Sequence, residues 1–207
     1  MWARSSSFRL PAEMLRDNSL AVSGLLVDRI GGPPTKPYEV EVSFKPVGRD
    51  RGEGLYRRSL YTYWKRTAPA PVMMTLDAAK REVCRVRRER TSSPLQAFVL
   101  MNGPQFVEAA RALSQRLLEK HGDDTAAMLD GMFRTLTSRM PRGDELQTLL
   151  DLMEQQQRAF EASPARAEEY LRVGDWKADA KVPPARLAAA ASVANMLFSY
   201  DECVIRR

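Results

Sequence analysis

The stretch Ser93–Gly122, SPLQAFVLMNGPQFVEAARALSQRLLEKHG, decides the class of fold. Ser93 is a natural N-cap and Pro94 a natural first helical residue, because a helix start leaves the first amides unbonded and proline has none to lose. Leu95 to Met101 reads as a short apolar helix, interrupted at Asn102-Gly103-Pro104. A second helix follows, with Phe106, Ala110, Leu113 and Leu117 on one stripe, and Gly122 stops it. His121, the single histidine, falls in its last turn, where a cation suits the helix dipole.

The same pattern continues downstream. Leu129, Met132, Phe133 and Leu136 fall at i, i+3, i+4 and i+7 in a helix expected over 124–137. Leu146, Leu149, Leu150 and Met153 do so in one expected over 144–160. Ser163-Pro164 opens a shorter helix to Arg172, and Pro183-Pro184 opens a last one through Leu187, Ala191, Ala194, Leu197 and Phe198. Short links between amphipathic helices imply antiparallel neighbours in a bundle.

Upstream, residues 10–28 read as a helix with Leu15, Val22, Leu25 and Leu26 on one face, ended by Gly31-Gly32-Pro33-Pro34. Residues 29–92 are an irregular, Pro/Gly-rich insert. Within it Tyr38–Phe44 and Arg58–Trp64 alternate like short strands, and Glu82–Arg88 alternates again. A hairpin-like pairing of 58–64 with 82–88 is one reading of that alternation. Ala68-Pro69-Ala70-Pro71 forces an extended turn between them. The expected architecture is mainly α: a helical bundle over 93–207 and an N-terminal helix, carrying an irregular insert with scope for a small β-hairpin, all in a single module over 1–207.

Composition bounds the function. The 207 residues, 44% hydrophobic and 28% charged, suffice for a core without disulfide or metal staples. The net charge of +6 permits an acidic partner, although binding depends on how the charge clusters. Cys84 and Cys203 form no C-x-x-C, which excludes a zinc knuckle, a thioredoxin-type pair and a c-type haem attachment. Two buried free thiols are the simpler expectation for them. The first fifteen residues hold no apolar signal-peptide core, and the richest apolar run, Leu187–Phe198, is too short to span a membrane. No P-loop, dinucleotide-binding or G-x-S-x-G pattern occurs.

Three constellations carry chemistry. Lys80, Arg81, Arg85, Arg87, Arg88 and Arg90 face only Glu82 and Glu89. Arginine forks suit carboxylate, sulfate or phosphate. An extended segment, however, sends Arg81, Arg85 and Arg87 to one side and Arg88 and Arg90 to the other, so bracing of the bundle is the stronger reading. Tyr61, Tyr63 and Trp64, among Arg57, Arg58, Lys65 and Arg66, offer stacking faces beside cations, against a plain core strip with a basic outer face. Tyr61, Tyr63, Trp64, Arg81, Arg85, Arg87, Arg88 and Arg90 are therefore the candidate anion- or glycan-binding residues. Glu13 and Asp17 stand four apart on one helix face, but Arg9 and Arg16 beside them favour salt bridges over acid–base work. No catalytic, metal or cofactor residue emerges, and a Cys84–His121 pair rests on nothing in the sequence.

These segments resemble a known family. Arg9-Leu10-Pro11-Ala12-Glu13-Met14 with Arg16-Asp17, Gly31-Gly32-Pro33, Leu55-Tyr56-Arg57-Arg58-Ser59-Leu60-Tyr61-Thr62 with Trp64-Lys65-Arg66, Arg81-Glu82-Val83-Cys84 and Pro94-Leu95-Gln96-Ala97 are similar to the C-terminal part of domain of unknown function 1553. Its members are typically long, exported planctomycete proteins with a cytochrome-c-like region. The resemblance implies a context, extracytoplasmic breakdown of polysaccharides, and no catalytic residue. It also implies that this chain, starting at Met1-Trp2-Ala3-Arg4, lacks the haem region, the signal peptide and the upstream half of the domain. The expected role is a non-catalytic interaction module that packs on those upstream domains or on a partner protein. Part of a site for an acidic glycan is the alternative, and a hydrolase fragment comes last. Nucleic acid is not an expected partner, and the compartment stays open.

Overall fold

The computed structural model of the chain describes residues 7–38, 48–66, 69–82, 84, 86–179 and 181–206. Among them the fold is mainly helical. The helices are α1 (Ala12–Ser23), α2 (Pro71–Thr75), α3 (Pro94–Asn102), α4 (Pro104–His121), α5 (Thr125–Thr137), α6 (Gly143–Glu161), α7 (Pro164–Leu171), α8 (Pro184–Phe198) and α9 (Asp201–Val204). Two short strands, β1 (Phe8–Arg9) and β2 (Ile205–Arg206), pair antiparallel with Phe8 opposite Arg206 and Arg9 opposite Ile205.

The centre is the packing of α4 against α8, with α1 on α4 and with α6 and α7 on α8. Their sequences explain the closeness. Ala188, Ala189, Ala190, Ala191 and Ala194 are fully buried in α8, and Ala109 and Ala110 in α4. Small side chains let the helix axes approach, and a helix apolar nearly all round must lie inside. Phe106, Leu113, Met128, Met132, Phe133 and Leu187 fill the layers around this seam.

Helix boundaries follow the capping chemistry. Ser93 donates its amide to Gln96 Oε1 at 3.3 Å, and Asp124 accepts from the Ala127 amide at 2.9 Å. α1 ends earlier than the expected Asp28. Gly24 adopts φ 79°, and the Leu25 and Leu26 amides turn back to the Leu20 carbonyl at 2.9 and 3.0 Å. A left-handed glycine that satisfies the last carbonyls stops a helix even where apolar residues continue.

The insert runs over α1 and α4 through two parallel bridges, Val27 with Arg57 and Thr35 with Thr62. The 58–64 segment, expected as a strand, instead coils into a 3₁₀ turn at Ser59–Tyr61. The physical cause is Asp17, whose Oδ1 accepts both the Ser59 amide (2.8 Å) and its hydroxyl (2.6 Å), fixing a turn where a ladder partner would be needed. Among the described residues the antiparallel pairing lies between β1 and β2, while Val83 and Arg85 of the 82–88 reading lie outside them. The 39–47 part of the strand reading at Tyr38–Phe44 lies outside the described residues. Of the expected 68–71 turn, Ala68 lies outside the described residues; Ala70 leads directly into α2, which buries Met73 and is followed by buried Leu76. Among the described residues no helix is long and apolar enough to cross a membrane.

Arg139, just past α5, ties the C-terminal end to α6. Its guanidinium donates to both oxygens of Glu145 at 2.7 Å and to Glu202 at 2.8 and 3.0 Å. Those bonds, joined by one from the Arg142 amide, pull the Glu145 carboxyl down from 4.5 to about 2. A carboxyl with a lowered folded-state value contributes stability that is complete above its unfolded value and is lost as pH falls through the folded one. Wild type should therefore lose this contribution between pH 4.5 and about 2, and Glu145→Gln should show a flatter stability profile across that window. Urea midpoints at pH 5 and pH 3 check this.

Candidate functional site

Four arginines are almost wholly buried, and each clamps irregular backbone. Arg16 on α1 donates to the carbonyls of Leu55 (2.6 Å) and Arg57 (2.7 Å), to Ser59 Oγ (3.1 Å) and to Gln105 Oε1 (2.6 Å). Arg57 reaches the carbonyls of Arg29, Gly31 and Pro33 while lying 3.9 Å over the Tyr61 ring. Arg111 on α4 holds the carbonyls of Leu171 and Trp176. Arg9 on β1 donates to Thr91 O (2.7 Å), Leu76 O (3.1 Å) and Asp77 Oδ2 (2.6 Å). A guanidinium carries five donors in a rigid fork, so one side chain can satisfy several loop carbonyls that no ladder reaches.

Glu108 is the anionic counterpart, buried on α4. It accepts from the Tyr56 hydroxyl (2.9 Å) and from the amides of Asp175 (2.6 Å) and Trp176 (2.5 Å). Gly174 (φ 87°) is required there, because a Cβ would stand 2.5 Å from Glu108 Cδ.

The residues singled out in the sequence fall into two groups. Tyr61 stacks under Arg57 and accepts the Gly31 amide at 2.8 Å, so it is a loop fastener. Tyr63 is 39% exposed, with Lys36 6.0 Å from its ring. Trp64 packs against the core, its ring 5.1 Å from the Arg81 guanidinium. Arg81 itself sits at φ 58° and reaches toward Thr62 O at 3.4 Å. Arg85 lies outside the described residues. Arg87, Arg88 and Arg90 gather elsewhere, along one open cleft of about 950 Å³. Its other wall is Phe8 and Arg9 of β1 with Ile205 of β2. None of Tyr61, Tyr63, Trp64 and Arg81 is among the described residues lining it. Sequence reasoning set Arg9 beside Glu13 and Asp17 as a salt-bridge partner, whereas it pairs with Asp77. Its place in the cleft depends on pairing between residues 8–9 and 205–206, which no local pattern announces.

The remaining candidates are spent on structure. Glu13 faces Arg88 at 3.2 Å, and Asp17 is committed to Ser59, so the two carboxylates serve different partners. The cysteines are free, but Cys84 is exposed, not buried as expected. Cys203 is half-buried, and burial pushes its thiol up to about 12, which leaves it a poor nucleophile at neutral pH. His121 packs beside Gly131 at the end of α4, within the bundle.

A family model described as "PSD1: Protein of unknown function (DUF1553)" matches residues 1–153. Comparison with curated proteins and with solved structures returned no significant match.

Proposed function

Starting from the premise that this chain belongs to the DUF1553 family of proteins of unknown function, we propose that it is a non-catalytic interaction module that docks an apolar face of another protein domain onto the outside of α3. The observation that carries this reading is the exposed apolar strip of that helix, which lies opposite the face that buries Leu100 and Gln96. Gln96 is buried at 4% exposure, while Leu95 (60%), Phe98 (61%) and Met101 (44%) face outward. They recur at i, i+3 and i+6, one turn apart, so they form a continuous strip. Met196 of the neighbouring α8 is also exposed.

The inward Gln96 has a local reason. Its amide nitrogen donates to Thr75 O (3.0 Å), Thr91 Oγ1 (2.9 Å) and Asp77 Oδ2 (3.1 Å), which locks α3 to α2 and to the segment before it. Nothing comparable explains the outward Leu and Phe. Contiguous large apolar side chains on a surface mark an interaction site. Pro94–Asn102 contains no charged residue, which argues for an apolar protein face as the occupant and against an acidic one. Arg16 and Glu108 support the non-catalytic half of the reading, since both are spent on fastening loop segments.

A photo-crosslinking residue at Phe98, in the natural full-length protein in its own cells, should give one discrete protein adduct. Leu95→Glu with Met101→Glu should abolish that adduct, while folding stability changes by less than about 0.5 kcal/mol, as for exposed sites generally. A smear of adducts, or an adduct indifferent to the double substitution, would overturn the proposal.

A further inference from the structure

The cleft between β1 and the 86–92 segment lies apart from the α3 strip in its lining and invites a different ligand. We propose that it is a binding site for a phosphate or sulfate monoester, whose oxyanion is held by Arg87, Arg88, Arg90 and Arg9 and whose organic body lies on Phe8, Val86 and Ile205.

The arginines are available for this. Arg87 is exposed and has no bonded partner among the described residues. Arg90 lies 4.3 Å over the Phe8 ring, a contact that occupies the face of the guanidinium and leaves the N–H edge open. Arg88 has only the exposed pair with Glu13, at 3.2 Å. Such a pair holds at most about 1 kcal/mol and yields readily to a phosphate or sulfate oxyanion.

Arg9 is the built component. It is nine-tenths buried, and its Nε and Nη2 are fixed on Thr91, Leu76 and Asp77, yet its Nη1 has no partner. A buried, orphaned guanidinium donor costs free energy; Nη1 is itself sealed from solvent, so a ligand oxygen reaches it only if the cleft wall shifts, and removing that cost favours the shift. Asp77 balances the charge of Arg9. Burial pushes its carboxyl up, but bonds from the Thr91 amide and hydroxyl and from Gln96, with the Arg9 charge, outweigh this and hold it below the usual carboxylate value. The three exposed arginines, against Glu89 alone in their segment, therefore give the cleft its positive field.

The chemistry of the donors selects the ligand class. Three arginine forks along one cleft offer more N–H groups than a carboxylate accepts, whereas a tetrahedral monoester presents three terminal oxygens. The apolar wall, with Val86 fully exposed, would stay uncovered by a free inorganic ion.

The test is calorimetric titration of the full chain with inorganic phosphate, phenyl phosphate, phenyl sulfate and benzoate at fixed ionic strength. Phenyl phosphate or phenyl sulfate should bind at least about tenfold tighter than inorganic phosphate and than benzoate, the preference between the two identifying the natural ester. Arg87→Ala with Arg90→Ala should weaken this binding about tenfold or more, whereas Arg58→Ala with Arg166→Ala, an equal loss of exposed charge, should not. Phe8→Ala should weaken the phenyl esters and leave inorganic phosphate unchanged. The proposal is overturned by the absence of saturable binding, by equal weakening in both double variants, or by benzoate binding as tightly as the esters.

Discussion

Arg16→Ala is expected to remove about 3–5 kcal/mol of folding stability, the cost of leaving buried polar partners without their charge. The side chain is 1% exposed and donates four hydrogen bonds of 2.6–3.1 Å. Two of the acceptors are carbonyls of the insert, at Leu55 and Arg57, and neither can turn to water while α1 covers them. The substitution therefore leaves a cavity, orphans two carbonyls and strips Asp17 of the cation 3.6 Å away. Lysine should recover less than half of the loss, because one ammonium cannot span acceptors on both sides of a planar fork. Urea denaturation gives the number. A value for Arg16→Ala under about 1 kcal/mol, the ordinary surface range, would show that the insert holds itself without α1.

Glu108→Ala should cost about as much, again roughly 3–5 kcal/mol, for the opposite reason. Here the buried acceptor disappears and three donors are stranded: the Tyr56 hydroxyl and the amides of Asp175 and Trp176. Arg111, 1% exposed and stacked 5.4 Å from the Trp176 ring, would keep its charge with no anion beside it. Glu108→Gln should be milder, near 2 kcal/mol, since one carbonyl oxygen still accepts while the amide end points donors at donors. Arg16 and Glu108 both fasten the 55–57 segment, one through the Leu55 and Arg57 carbonyls and the other through the Tyr56 hydroxyl, so the two losses should depart from additivity by more than about 0.5 kcal/mol in the double variant. Strong coupling between them would mean that the insert and the 172–179 loop fold as one piece.

These two residues also show where the sequence stopped being readable. Ser93-Pro94, Ser163-Pro164 and the proline before Ala185 announced helix starts because a cap is a local event, decided within four residues. The alanine-rich Leu187–Phe198 run announced a central helix for the same reason. Arg16, by contrast, finds its acceptors 39 to 89 residues away. Nothing in its neighbourhood separates it from Arg58, which is half exposed and paired with Asp28. Alternation at 58–64 pointed to a strand, yet Asp17 captured Ser59 and made a turn. A period of two states which side chains share a side and is silent on whether a ladder partner exists. The candidate site fared similarly. Its exposed arginines were visible as a cluster, while the aromatic strip assigned to it is committed elsewhere and its buried member, Arg9, arrives through the pairing of β1 with β2.

That pairing has a temporal consequence. Residues 205–206 leave the ribosome nearly two hundred residues after residues 8–9, so this pairing, the one of widest sequence separation among the described strands, must be among the last contacts to form. Ile205 completes the cleft wall. A nascent chain arrested before that residue would carry its arginines and its α4 core but no finished pocket.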